Sequence, residues 1–202
     1  MIAPDDDQTL VDASLAGDPG AFGTLVSHCQ DRLYSTLLRI TGSHEDARDL
    51  LQDVFLRAYE KLHRFHGESS FYTWVYRIAV NLAISEKRRR SASLGRTATA
   101  PVDLLDPPSD LERSDPTIHV ERAEREALIH RALGQLHEDH RIVVVMRDLD
   151  GCRYDEIARI LRIPIGTVRS RLHRGRLELR QKLEPLFEPE GIHASLAPNL
   201  ES

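Results

Sequence analysis

The sequence predicts an all-α chain of two small helical domains joined by a flexible linker, and three observations lead there. Apolar residues recur at helical spacing through residues 8–90 and again through 118–186. No run alternates apolar and polar residues between turn signals, as a half-buried strand does. Between the two blocks, the stretch SASLGRTATAPVDLLDPPSDLERSDP, which starts at Ser91, is rich in Ser, Ala, Pro and Asp and has no sustained helical period. The expected organisation is thus a first domain over 8–90, a linker over 91–117, a second domain over 118–186 and a disordered tail over 187–202.

Bulk properties narrow the function classes. The chain has 202 residues, is 41% hydrophobic and 29% charged, and has a formal net charge of −5, so it can bury real cores and is too balanced to be disordered throughout. The longest purely aliphatic stretch, Ile142 to Met146, is far short of the roughly 20 residues that span a bilayer. The acidic start MIAPDDDQ lacks the cationic and apolar regions of a signal peptide, which places the chain in the cytoplasm with no membrane insertion of its own. Cys29 and Cys152 are too few for a disulfide framework and lack metal-ligand spacing, so no metal or other cofactor is expected.

The first patterned helix is EDARDLLQDVFLRAYEKL. Ala47, Leu50, Leu51, Val54, Ala58 and Leu62 share one stripe at about 100° per residue, while Glu45, Asp46, Asp49, Asp53 and Glu60 gather on the other side with Gln52 and Leu56 among them. Such a stripe is either a solvated face or a docking face in which acid surrounds an apolar contact for a basic partner helix. Reading Asp46, Asp49 and Asp53 as a metal site lacks the histidine or second carboxylate helix that would complete it.

The next helix, SFYTWVYRIAVNLAISEKRRR, places Tyr72, Val75, Ile78, Ala79 and Leu82 on a core stripe. Trp74, Arg77, Asn81 and Arg88 fall on the outer face, with Lys87, Arg89 and Arg90 crowding its end. An aromatic, an amide and cations together suit unpaired bases, which stack on rings while cations follow the phosphates. The competing reading puts Trp74 in the core and lets the cations complement the helix dipole.

In the second block RIVVVMRDLDG sits among helix formers and stops at Gly151, so it reads as a helix rather than a short buried strand. YDEIARIL then places Tyr154, Ile157, Ala158 and Leu161 at helical spacing, RIP allows only a tight turn, and IGTVRSRLHRGRLELRQKL starts a new helix. Ile165, Val168, Leu172, Leu179 and Leu183 make its apolar stripe. Thr167, Ser170 and Arg174 point the opposite way, flanked by Arg169 and Arg171. This is the pattern of a helix-turn-helix unit. Between Arg162 and Lys182 seven basic residues face Glu178 alone, an excess of six positive charges that leaves −11 on the rest of the chain. A local cation patch on an acidic protein points to phosphate rather than to general solubility. By projection Thr167, Ser170, Arg171 and Arg174 are candidates for base edges, and Arg169 and Arg176 for phosphates.

DLLQDVFLRAYEKLHRFHGESSFYTWVYRIAVN and YDEIARILRIPIGTVRSRLHRGR, in that order and separated by a linker, resemble the extracytoplasmic-function class of bacterial RNA polymerase sigma factors. The resemblance covers nearly everything from Leu10 to about Leu186. It implies that the first block is sigma domain 2, which binds core polymerase and opens the minus-10 element, and that the second is domain 4, which reads the minus-35 element. Asp49, Gln52, Asp53 and Leu56 match the polymerase-binding positions. The loop FHGESSF, with Phe65, Gly67, Ser69 and Phe71, matches the strand-capturing element together with Trp74, Arg77, Asn81 and Arg88. It also implies an anti-sigma factor as a further partner, and no catalytic activity. The chain departs from the family pattern at Ser85, where an acidic residue is common, and at Arg162, where glycine or asparagine is common. A helix-turn-helix regulator acting on duplex DNA is the competing function, and it lacks a receiver or ligand domain in the first block. A metal-dependent nucleic-acid enzyme would need a convergent site that cannot be assembled from these residues.

Overall fold

The computed structural model describes residues 4–93 and 127–187, and every element among them is helical. Helix α1 spans Pro4–Leu15, α2 Pro19–Thr41, α3 His44–Glu60 and α4 Phe71–Ser93. After the undescribed residues come α5 over 127–134, α6 at Glu138–Val144, α7 at Tyr154–Leu161 and α8 at Ile165–Phe187. Most of the expected linker and the tail from residue 188 lie outside the described residues. The first three residues assigned to the linker instead complete α4.

Local chemistry sets the helix ends. Asp18 caps α2 by accepting from the Gly20 N–H at 2.8 Å, and Pro19 fills the first turn, where its missing N–H costs nothing. Gly42 ends α2 at φ 75° and donates to the Leu38 carbonyl. Ser43 then caps α3 by accepting from Asp46, with Glu45 and Asp46 complementing the helix dipole. Ser70 accepts the Thr73 N–H at the start of α4. The β-branched stretch that could have been a strand is helical: α6 passes into a π-helical turn, Val145–Leu149, which closes on Gly151 at φ 74°. Arg162, in the turn before α8, takes the left-handed conformation at φ 54°, as a non-glycine residue.

The first four helices pack round Val11, Leu25, Leu33, Leu37, Leu50, Val54, Val75 and Ala79. On α4 the buried stripe is rotated from the projected one: Tyr76, Val80 and Ala83 are buried, whereas Tyr72 and Ile78 are half-buried, because α4 is packed by more than one neighbour. The second block buries Leu133, Leu136, Ile142 to Met146, Ile157, Val168 and Leu172. There α8 crosses α6 at Gly175, where a Cβ would stand 2.7 Å from Val144 Cγ2 and 3.2 Å from the His140 carbonyl oxygen. Ile165, projected inward, is 42% exposed because it is the first residue of α8. The two blocks also touch along a polar seam between α2 and α4 on one side and the α6–α7 region on the other.

Candidate functional site

Helix α3 buries Ala47, Leu50, Val54 and Ala58, which turns Asp49, Gln52, Asp53 and Leu56 outward. Leu56 is 60% exposed, and Tyr59 beside it is also an exposed large side chain. Among the described residues neither Asp49 nor Asp53 has a salt-bridge partner, so this surface presents bare carboxylates round an apolar contact. The wall behind it is firm, since Phe22 of α2 meets the Tyr59 ring edge-on at 4.9 Å.

The loop between α3 and α4 is anchored from its ends. Phe65 and Phe71 are 7% and 2% exposed and stack edge-on at 5.9 Å, so in this conformation their rings anchor the loop in the core. An aromatic at a loop end lowers its energy by burial when a core lies beneath it. Gly67, at φ 73°, and Ser69 stand between them on the loop's outer side, and the Gly67 α-carbon faces the Gln8 amide so closely that a Cβ would lie 2.9 Å from its Oε1. Trp74 is half-buried, packed on Phe65 at 5.6 Å and Phe71 at 5.9 Å. It is thus neither a free outer ring nor a fully buried one. Arg77 is half-buried on the following turn, and exposed Asn81 donates to the Arg77 carbonyl at 2.7 Å. Of the cations at the end of α4, Arg89 and Arg90 are tied to Glu86, and Arg90 also to Asp46 at 2.6 Å, while Arg88 is exposed.

Helix α8 buries Val168 and Leu172, which leaves Arg169, Ser170 and Arg174 exposed and Thr167 and Arg171 half-buried beside them. A shallow depression of about 380 Å³ runs along this face, lined by His137, Asp139, His140, Thr167, Arg171 and Arg174. Two arginines are already engaged. Arg171 donates to Asp139 at 2.5 Å, and Arg176 makes a two-pronged pair with Asp148 at 2.9 and 2.5 Å. The projection placed both on the polar side, and it could not show these partners, which lie 32 and 28 residues away. At the far edge His140 pairs with Glu178 at 2.8 Å. Burial alone would raise the Glu178 carboxyl, but the His137 backbone N–H and the His140 ring outweigh it and hold the group below its ordinary value.

No group of three His, Cys, Asp or Glu side chains suited to a metal occurs among the described residues. Burial, followed by the nearby Asp7 carboxylate, pushes the Cys29 thiol up to about 12, and burial also raises Cys152, so neither is an activated thiolate. No helix among the described residues is long and apolar enough to cross a membrane.

Comparison with known proteins gives matching results for both blocks. Residues 25–93 match the family Sigma-70 region 2, and residues 126–179 match Sigma-70, region 4. The RNA polymerase sigma-H factor of Pseudomonas aeruginosa is 34% identical over 190 residues, covering 93% of this chain and 98% of that protein. The ECF RNA polymerase sigma-E factor of Escherichia coli is 38% identical over 187 residues, covering 90% of this chain and 96% of that protein. Two solved structures share the fold. The sigma factor RpoE of Bartonella quintana, in complex with the anti-sigma factor NepR, has a TM-score of 0.62 at 23% identity over 81% of this chain and 96% of that one. CnrH, in complex with the cytosolic domain of CnrY, has a TM-score of 0.57 at 24% identity over 89% and 98%.

Proposed function

This chain belongs to the extracytoplasmic-function class of sigma-70 factors, the non-catalytic subunits that direct RNA polymerase in transcription initiation, and we propose that it divides that work between the acidic face of α3 and the basic face of α8. The observation that carries this division is the separation of sign on one chain. Asp49, Gln52, Asp53 and Leu56 offer bare acid and an apolar contact, which suits a basic helix of core polymerase. Thr167, Arg169, Ser170, Arg171 and Arg174 offer hydroxyls and guanidiniums, which suit the major groove of a minus-35 element. Arg176 joins them as a phosphate contact only by leaving Asp148.

Between these lies the strand-opening surface. Gly67 and Ser69 on the loop, with Trp74, Arg77, Asn81 and Arg88 on α4, would receive unpaired bases of the minus-10 element. Phe65 and Phe71 hold that loop from beneath. The first domain acts over about residues 8–90 and the second over 118–186, in the cytoplasm, where polymerase and promoter are. An anti-sigma protein that covers these same faces is the expected inhibitor. A regulator working on duplex DNA alone would have no use for bare acid on α3.

Run-off transcription with core polymerase tests the division. Trp74→Ala with Asn81→Ala should leave minus-35 duplex binding intact and suppress permanganate-reactive opening at minus-10. Arg171→Ala or Arg174→Ala should change preference at individual minus-35 positions by about 1–3 kcal/mol. Opening that survives the first pair, or an unaltered preference in the second, would remove those residues from the site.

A further inference from the structure

Neither the acidic face of α3 nor the candidate set on α8 includes the two histidines at the start of α6. His137 and His140 stand 5.3 Å apart, ring to ring, and form with Asp139 one wall of the depression of about 380 Å³ whose other wall is Thr167, Arg171 and Arg174 of α8. The two helices meet closely there, since a Cβ on Gly175 would come within 3.1 Å of the His140 Cβ. The partners of each ring fix where its proton sits. The Asp139 backbone N–H donates to His137 Nδ1 at 3.3 Å, so the proton of that ring is on Nε2. The Glu178 carboxylate can only accept and stands 2.8 Å from His140 Nδ1, so the proton of the neutral His140 ring is on Nδ1 and its Nε2 is bare. Among the described residues neither Nε2 has a partner.

We propose that this depression seats a backbone phosphate of the promoter duplex between His137 Nε2–H and the Arg174 guanidinium, and that His140 adds a donor when its ring takes up a proton, so that the complex tightens as pH falls. The inference rests on the reading of α8 as the minus-35 helix. A helix in the major groove has a sugar–phosphate strand along each flank, and an element packed against that helix meets phosphates, which hold register, rather than base edges. The start of α6 is such an element.

The charges round the seat suit an anion. Of the acids near it, Asp139 is engaged by Arg171 at 2.5 Å, Glu178 by His140, and Glu138 by Lys87 of α4 at 3.5 Å. Arg141, the remaining cation of that turn, is spent on the Ile40, Gly134 and Leu136 carbonyls. The neighbouring α5, which ends three residues before His137, carries His130 and Arg131. Arg174 is exposed and has no ion-pair partner among the described residues. A phosphate oxygen only accepts, so it takes the His137 Nε2–H as it stands. Protonating His137 would cost the α6 cap, because its Nδ1 could no longer accept from Asp139. Protonating His140 breaks no bond: Nδ1–H stays on Glu178, Nε2 gains a proton from solvent, and the negative charge of a seated phosphate favours the charged ring.

Competition binding of the holoenzyme, the full chain with core polymerase, to promoter fragments with matched or scrambled minus-35 elements tests the seat. His137→Asn keeps a good α6 cap and removes the donor. It should lower affinity for matched and scrambled fragments alike, by about tenfold, as a lost hydrogen bond to a charged group does. His140→Gln should bind as wild type does at about pH 8 and fall about tenfold behind it at about pH 6, the span in which imidazoles ordinarily take up a proton. At the lower pH the wild type's log–log salt slope should be steeper than that variant's by up to about 0.9, one phosphate's worth. A His137→Asn holoenzyme with wild-type affinity overturns the seat, and so does one weakened on the matched element alone, which is the signature of a base contact. A wild-type to His140→Gln ratio that stays flat with pH overturns it as well. If His140→Gln loses helix by circular dichroism, His137→Asn decides. A wild type with no preference for the matched element removes the α8 reading and the seat with it, whereas silent histidine variants beside an intact preference remove the seat alone.

Discussion

Helices α3 and α8 each bury one stripe and expose one charged face, yet the two faces are prepared differently. On α3 the carboxylates of Asp49 and Asp53 stand unpaired beside an exposed Leu56. On α8 two of the arginines are held by acids of their own domain, Arg171 by Asp139 and Arg176 by Asp148. A protein partner can settle onto the α3 face at once, because nothing must be displaced. On the proposed division of work, DNA would take over two guanidiniums from internal carboxylates, so part of each such contact would replace an existing bond. The lesson is that a formal charge count overstates what a recognition helix has available. The stretch from Arg162 to Lys182 carries seven basic residues against one acid in sequence, but in the fold it is partly neutralised by acids from α6 and the π-helical turn.

The sharpest way to break this comparison is at α3. Asp53→Arg combined with Leu56→Ala should weaken core-polymerase binding by at least about 2 kcal/mol, as hot-spot losses do. Because both side chains are exposed, the melting temperature should move by no more than about 2 °C. A titration against core enzyme checks the first and a circular dichroism melt the second; unchanged affinity would take the docking role away from this face.

The comparison sharpens at α8 if the internal acids are removed. Asp139→Asn and Asp148→Asn should each raise affinity for any duplex and steepen its salt dependence by up to about 0.9 in log–log slope, as one more cation becomes available to phosphate. Asp139→Asn should also blunt the preference at the position Arg171 reads, because a guanidinium held by one carboxylate is oriented and a free one is not. Competition binding with matched and scrambled minus-35 duplexes separates the two effects. Salt slopes equal to wild type in both variants would mean that the pairs do not compete with DNA.

The smallest effect concerns Glu178. Its carboxyl is held below the ordinary value, so its contribution to stability is complete above about 4.5 and is lost as pH falls through the lowered folded-state value. The second domain should therefore lose melting temperature on acidification, and Glu178→Gln should flatten that loss by lowering the neutral-pH melt slightly toward the acid one, since the charged carboxylate's contribution is then missing at every pH. Thermal scans of the wild type and the variant across the acid range check this.

The sequence by itself determined the helical class, the two blocks and their order, and the faces of α3 and α8, because helical period and capping are local: Ala47, Leu50, Val54 and Ala58 meet on one side for the same reason in any context. The structure adds the caps Asp18, Gly42 and Ser43, which the helical pattern had not singled out and which act through local chemistry. The sequence also placed most candidate site residues on exposed or half-buried surface. Only the tertiary structure decided how far each was available. Phe65 and Phe71 went inward because a core lies under that loop, and Trp74 came to rest against them. Val80 joined the core because α4 has neighbours on more than one side, which no single stripe encodes. Gly175 is required by the approach of α6, not by any turn. Asp139 and Asp148 have partners that stand 32 and 28 residues away, beyond the reach of any local pattern. Periodicity reports which side of a helix is apolar, whereas the partner of a charge depends on what the rest of the chain brings within about 4 Å of it.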